Sequence, residues 1–310
     1  MAVTRSRLSA FGSALIVVLL AGYGIGRLNN GVVSVSAPLS TAAASAASPP
    51  GAVSENAPHG HGGDATAPAE STALMGAAVG GLSLSASGLT LVPVRTAFTA
   101  GTAQRLDFRI NGVGGAPVTT YATVHDKRLH LIVVRRDLSG FQHLHPKMTA
   151  GGTWGIDLAL AEPGIYHMIA DFTAIVGGQP VAATLGGDLT VAGAYAPRAL
   201  PAPDRVTSTD GFSVAYGGTP RIDSTRPMLM AVVGADGKLA TLEPYLGAFG
   251  HLVVMRQGDL AYLHVHPETQ LVAGQVKFWL VMPSAGTYRL FFDFQVAGKV
   301  HTAAWTAVIR

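Results

Sequence analysis

The 310-residue chain contains no cysteine. That absence excludes a disulfide framework, a thiolate zinc site, an iron–sulfur cluster, a catalytic thiol and a blue-copper centre. It also excludes a lipid anchor on cysteine. Charge is scarce too: Asp, Glu, Lys and Arg make up 13% of the residues, and the formal net charge is +3. The 21 Lys and Arg are scattered, with no run longer than the pairs Lys127-Arg128 and Arg135-Arg136. A nucleic-acid backbone needs many more cations gathered on one face, so no nucleic-acid partner is expected. Catalytic signatures are missing as well. There is no G-x-S-x-G, no P-loop, no H-E-x-x-H and no Gly-rich dinucleotide fingerprint opening a helix. No general base stands beside a candidate metal-activated water, and the chain is read as non-catalytic.

Long apolar runs are confined to the N-terminus. Arg5 and Arg7 precede an uncharged stretch, Leu8–Gly26. At 1.5 Å per residue a helix of that length just crosses a hydrocarbon core near 30 Å. Positive charge ahead of the span keeps the N-terminus cytoplasmic and sends the remainder outside. Residues 1–27 are therefore read as an anchor, with the cytoplasmic membrane as partner through residues 8–26. The rival reading is a signal peptide cleaved after Ala37, which would release a secreted protein. Residues 28–80 are rich in Ala, Ser, Gly and Pro, without Lys or Arg. Such a segment buries too little apolar surface to offset its ordering entropy and is read as a disordered linker. Its His59-Gly60-His61 is read as two solvated histidines.

From residue 81 onward no helical period appears. Short apolar runs rich in Val, Ile, Phe and Tyr alternate with Gly, Pro, Asp and Asn: Leu106–Ile110, Leu129–Val134, Tyr166–Phe172, Met228–Val233, His251–Met255, Val276–Met282, Tyr288–Phe294 and Thr302–Ile309. This spacing predicts an all-β sandwich class. An internal repeat sets the number of modules. His130–Pro146 (HLIVVRRDLSGFQHLHP) aligns without a gap on His251–Pro267 (HLVVMRQGDLAYLHVHP), 121 residues on, with seven of 17 positions identical. Gly164-Ile165-Tyr166 with Asp171-Phe172 is answered by Gly286-Thr287-Tyr288 with Asp293-Phe294. Two modules result, at 81–192 and 205–310, joined by a Pro-rich linker at 193–204.

The repeat carries H-x(12)-H-x-H-P twice. On a strand, residues i and i+2 share a face, so His143 with His145, and His264 with His266, aim two imidazoles the same way. A hairpin placing His130 opposite His145, and His251 opposite His266, brings a third ring to each face. Its turn would be Gly258-Asp259 in the second copy, as type II′ favours, and Asp137-Leu138 or a longer loop in the first. A one-residue slip would send the first histidine to the other side. Three neutral imidazoles suit Cu(II), or zinc with water in the fourth position. The same histidines also suit a structural role, buried and hydrogen-bonded around Pro146 and Pro267. His125, His167 and His301 occur in one copy each, as candidate fourth ligands or as satisfied strand histidines. Asp171 and Asp293 are read as strand-end turn residues, with orientation of a ligating imidazole as the alternative.

The motifs His125-Asp126-Lys127-Arg128-Leu129-His130, Phe141–Pro146, Pro244-Tyr245-Leu246-Gly247 and Tyr262–Pro267 resemble those of a family of exported actinobacterial proteins. Its members carry an N-terminal membrane segment, a low-complexity linker and two β-sandwich modules, each with an HxHP hairpin. The second block is also similar to modules of envelope proteins that handle copper and other heavy metals. The resemblance implies copper as the ion, with zinc second. His301 stands where the family would have Arg. The expectation is thus two Ig-like or cupredoxin-like sandwiches tethered outside the membrane. Each would hold an ion, through His130, His143 and His145 and through His251, His264 and His266. A metal donor or acceptor protein would be the partner. The competing expectation is a non-catalytic interaction module of the envelope with structural histidines.

Overall fold

The computed structural model describes residues 79–263 and 265–310, and of His266 only the backbone. The anchor and all but the last two linker residues lie outside this range, as does His264. Twenty strands are present and, among the described residues, no helix, hence none long and apolar enough to cross a membrane. The first five are β1 (Val79–Gly80), β2 (Ser85–Ala86), β3 (Leu89–Pro93), β4 (Ala97–Phe98) and β5 (Ala103–Asn111). Next come β6 (Leu129–Arg135), β7 (Gln142–Leu144), β8 (Lys147–Met148), β9 (Thr153–Ala159), β10 (Gly164–Val176) and β11 (Gln179–Val191). The second module begins with β12 (Val206–Thr209), β13 (Phe212–Gly217), β14 (Arg226–Val233), β15 (His251–Arg256) and β16 (Tyr262–Leu263). It ends with β17 (His266–Pro267), β18 (Val276–Leu280), β19 (Gly286–Val296) and β20 (Lys299–Ile309).

Four five-stranded sheets form two sandwiches. The first module pairs sheet β2-β3-β5-β9-β8 with sheet β4-β11-β10-β6-β7, and the second pairs β12-β13-β14-β18-β17 with β1-β16-β15-β19-β20. Most strands bury one face and expose the other, so the pattern alternates, as in β5 and β14. Leu106, Phe108 and Trp154 meet Leu131, Met168 and Phe172 in the first core. Met228, Met230 and Phe278 meet Val254, Phe292 and Trp305 in the second. Trp279, by contrast, lies outside the core, under the Lys277 ammonium and bonded to Glu268. The hydroxyls of Tyr166 and Tyr288 donate to the carbonyls of Glu162 and Ser284, four residues upstream. Both are the strand-entry tyrosines expected of a sandwich.

Four strands depart most from the alternation: β6 and β15 are buried at nearly every position, and β10 and β19 carry long buried runs. Their second faces meet each other. Ile132, Val134, Leu138 and Ile169 pack against Val253, Met255, Leu260, Tyr262 and Phe291 in a third apolar cluster. Ile132 and Val134 are the repeat equivalents of Val253 and Met255. One patch therefore meets its own copy across an approximate two-fold relation, with Phe141 stacked on Phe291 at 4.0 Å. The chain between the modules is tied down rather than loose. Arg135 bonds Ala196 O, Arg198 N bonds Asp137, and Leu200 packs into the shared cluster. Val79 and Gly80, assigned to the linker by composition, form β1. They pair with β16 of the second module, while Gly81 N bonds Thr184 O of the first.

Candidate metal centre

The H-x-H-P stretch is where the chain leaves one sheet for the other. In the first module β7 pairs with β6, and after two intervening residues β8 pairs with β9 in the opposite sheet. In the second, β16 and β17 stand in the same relation. Pro146 and Pro267 lack the N–H that continued pairing would use, so they suit a strand that changes sheets. Register follows the expected hairpin. Ile132 faces His143, and the same register runs on to place His130 against His145. In the second module Val254 faces Leu263 and Met255 faces Tyr262, again the expected register. The first turn takes the longer of its two expected forms, and the second extends beyond Gly258-Asp259. Leu138 N bonds Arg135 O and Arg135 N bonds Ser139 O, so the first turn is longer than two residues, with Leu138 at φ +64°. The second is a four-residue loop around Gly258-Asp259, closed by Arg256 and Ala261, with Leu260 at φ +63°. Both leucines are buried among the inter-module residues, and that burial holds them in a conformation glycine would prefer.

His130, His143 and His145 come together. One ring nitrogen from each lies within 4.8 Å of the others, and His130 Nδ1 stands 3.1 Å from His143 Nε2. Two nitrogens on one tetrahedral ion at about 2.0–2.1 Å sit roughly 3.3 Å apart. The tautomers follow from the outer partners. His130 Nε2–H donates to Val124 O at 3.1 Å. His143 Nδ1–H donates to Asp293 Oδ2 at 2.8 Å. In the neutral rings the two inward nitrogens then both carry lone pairs, and only an added proton or a cation reconciles them. His145 Nε2 is buried with no hydrogen-bond partner among the described residues. Burial, then the His143 charge, pushes His130 down to about 4. Burial, then His143 and His130, pushes His145 down to about 2. Both rings are therefore in the neutral form that ligates.

The face carrying these rings is the one turned to the other module. His251 is there too, its ring 6.2 Å from His143 and 6.3 Å from His130. Its Nε2–H donates to Tyr245 O at 2.9 Å, and Tyr245 is the repeat equivalent of Val124. Burial lowers His251 to about 3. His125 approaches both sides, 6.1 Å from His130 and 5.3 Å from His251. It occupies a tight turn, Val124–Lys127, with His125 at φ +48° and Asp126 at +59°. Left-handed backbone at a non-glycine residue is strained and is kept where the surroundings demand it. His125, His130, His143, His145 and His251 thus gather at one place between the modules. His264 lies outside the described residues and the His266 side chain is not described, so the second trio is not placed.

Asp171 and Asp293 are not strand-end residues: each lies in mid-strand. Asp171 sits opposite His130 and Thr184, and Asp293 opposite His251 and Thr302. They are 9% and 3% exposed. Each reaches across the module boundary. Asp293 takes the His143 Nδ1–H and the Thr302 hydroxyl. Asp171 takes the Tyr262 hydroxyl at 3.0 Å and the Thr184 hydroxyl. Burial and the Asp171 charge hold the Tyr262 phenol well above its usual range, so it stays a donor. His167 and His301 are elsewhere, bonded to Asp188 and Gly81 O and to Asp210 respectively. Neither joins the cluster. Met255 is packed in the inter-module cluster and Met148 against the first core, so neither adds a thioether to the three imidazoles. The donor set fits a borderline divalent ion better than Cu(I).

Residues 85–186 and 207–310 each match one family, described as a domain of unknown function (DUF8832). No curated protein matches the sequence. Among solved structures the chain is similar to the Escherichia coli adhesin FdeC, with TM-score 0.26 and 16% identity over 74% of this chain and 66% of that one. A Salmonella alpha-2-macroglobulin mutant gives 0.24 and 14%, over 74% of this chain and 15% of its own. Yersinia pseudotuberculosis InvD gives 0.23 and 15%, over 73% and 58%. The chain therefore spans less than two thirds of each.

Proposed function

We propose, for a chain that belongs to the DUF8832 family through both of its modules, that it is an extracytoplasmic metal-binding protein. It holds copper, or secondarily zinc, and buffers the ion or passes it to a partner protein. Its sandwiches are of the Ig-like or cupredoxin-like kind, and residues 8–26 anchor them outside the membrane. The observation that carries this reading is the convergence of three imidazoles, one ring nitrogen from each within 4.8 Å of the others, together with a His145 Nε2 that is buried without a partner among the described residues. A buried polar atom with no partner is costly, and a ligated ion would satisfy it. The Asp293 carboxylate behind His143 fixes the tautomer that presents Nε2, as carboxylates behind metal-ligating histidines do. By the repeat, His251, His264 and His266 form the corresponding set.

A second reading draws on the same bond. The His143–Asp293 pair links the modules without an ion, and a non-catalytic interaction module needs no more from its histidines. Titration of the full chain with Cu(II) and Zn(II), followed by calorimetry, separates the two. The metal reading expects saturable binding in the wild type, reduced stoichiometry in His143→Ala/His145→Ala, and a separate reduction in His264→Ala/His266→Ala. Absence of binding by the wild type overturns it. Unchanged stoichiometry in either double variant removes that set.

A further inference from the structure

The bond from His143 to Asp293 links residues 150 positions apart, one in each module. It is not isolated. Asp171 of the first module accepts from Tyr262 of the second. The stack of Phe141 on Phe291 lies two residues before His143 at the entry to β7 and two residues before Asp293 on β19. The Cβ position of Gly247 comes within 3.7 Å of the Asp126 carboxylate, so the turn carrying His125 meets its repeat equivalent over the cluster. Every element that aims a ring at the centre is thus seated on, or bonded to, the other module.

We infer that the centre is a joint property of both modules. Asp293 is the positioning residue for His143, and ion binding is coupled to the docking of the two sandwiches. This rests on the metal reading above and deepens it. The coupling is reciprocal by necessity. If docking sets the geometry of the ligand set, the ion stabilises docking by the same factor. A separate site in each module would show no such link.

The test uses the full chain. Asp293→Asn keeps the shape and an acceptor oxygen but removes the charge; Asp293→Ala removes both. Replacing a carboxylate behind a ligating histidine lowers metal affinity by about 10–100-fold. A loss near the lower end is expected for Asn and near the upper end for Ala, read by Zn(II) and Cu(II) competition titration. Asp188→Asn, which alters the His167 pair remote from the cluster, leaves affinity unchanged. Phe291→Ala removes no imidazole and still weakens binding. In metal-free wild type, the ¹⁵N shifts of His143 report a proton on Nδ1, and the Asp293 variants redistribute it. Saturating Zn(II) slows amide exchange in β6 and β15 together. Wild-type affinity and an unaltered His143 tautomer in Asp293→Ala overturn the inference and leave the metal reading standing. Wild-type protein that binds neither ion overturns both, whatever the tautomer shows.

Discussion

At the scale of single residues, burial and mutual repulsion govern the cluster. His130, His145 and His251 are pushed from about 6.5 to about 4, 2 and 3, with burial the largest cause in each. In the unfolded chain they recover ordinary values. Above pH 6.5 both states hold them neutral, and they make no difference. As pH falls below 6.5 the unfolded state binds protons that the folded state refuses, so stability declines with pH down toward those lowered values. Carboxylates remain ionised until about pH 4.5, which leaves the upper part of this window to histidine. Chelator-treated protein should lose urea resistance steadily from pH 6.5 to 4.5, and His145→Gln should flatten that slope. A slope equal to wild type in His145→Gln contradicts this account. The i, i+2 spacing and the repeat made the first trio legible in the sequence. The aspartates were legible only in part. A carboxylate kept at the same place in two mostly apolar strands, YHMIADF and YRLFFDF, is costly unless partnered. That signal was present, but its partner lies 150 residues away, beyond what local spacing reports.

At the scale of elements, the strands were legible from their apolar runs and the turns less so. Hairpin registers were legible from the pairing that a turn at Gly258-Asp259 dictates, carried over to the first copy by the repeat. The loop lengths were not, because tertiary burial holds Leu138 and Leu260 in left-handed conformations that local preference assigns to glycine. The N-terminal strap was hidden in a segment whose composition reads as linker. Val79–Gly80 pair with β16, Gly81 N bonds Thr184 O, Gly186 N bonds Ser83 O, and His167 bonds Gly81 O. Gly186 is what lets the strap lie flat, since a Cβ there would fall 1.8 Å from Gly81 O. The obstacle is backbone, which cannot rotate away. Gly186→Ala should therefore detach the strap and destabilise the protein by about 1–3 kcal/mol, the range for overpacking. The signature is faster amide exchange at residue 81 and in β16 than in β5. Exchange at wild-type rates in both would mean that the strap is not held where the geometry puts it.

At the scale of the whole described region, two sandwiches with separate cores share a third apolar cluster. The sequence held this too. A strand covered on one side alternates, and a strand covered on both reads as a continuous apolar run. Leu129–Val134 and His251–Met255 are such runs, so each carries a second buried face that its own module does not cover. Counting modules from the repeat says nothing of how they meet, whereas the unbroken runs call for two modules that press together. Met255 tests this, being buried in the shared cluster and absent from the second core. A lysine there would be enclosed opposite the Arg289 guanidinium, at a cost of several kcal/mol, and separation of the modules would relieve it. Met255→Lys should therefore keep both cores folded, as read by the near-ultraviolet dichroism of Trp154 and Trp305, while small-angle scattering records a larger radius of gyration. It should also lose metal affinity without losing a single imidazole. A particle of wild-type size with wild-type affinity would show that the seam is not what brings the histidines of the two modules together.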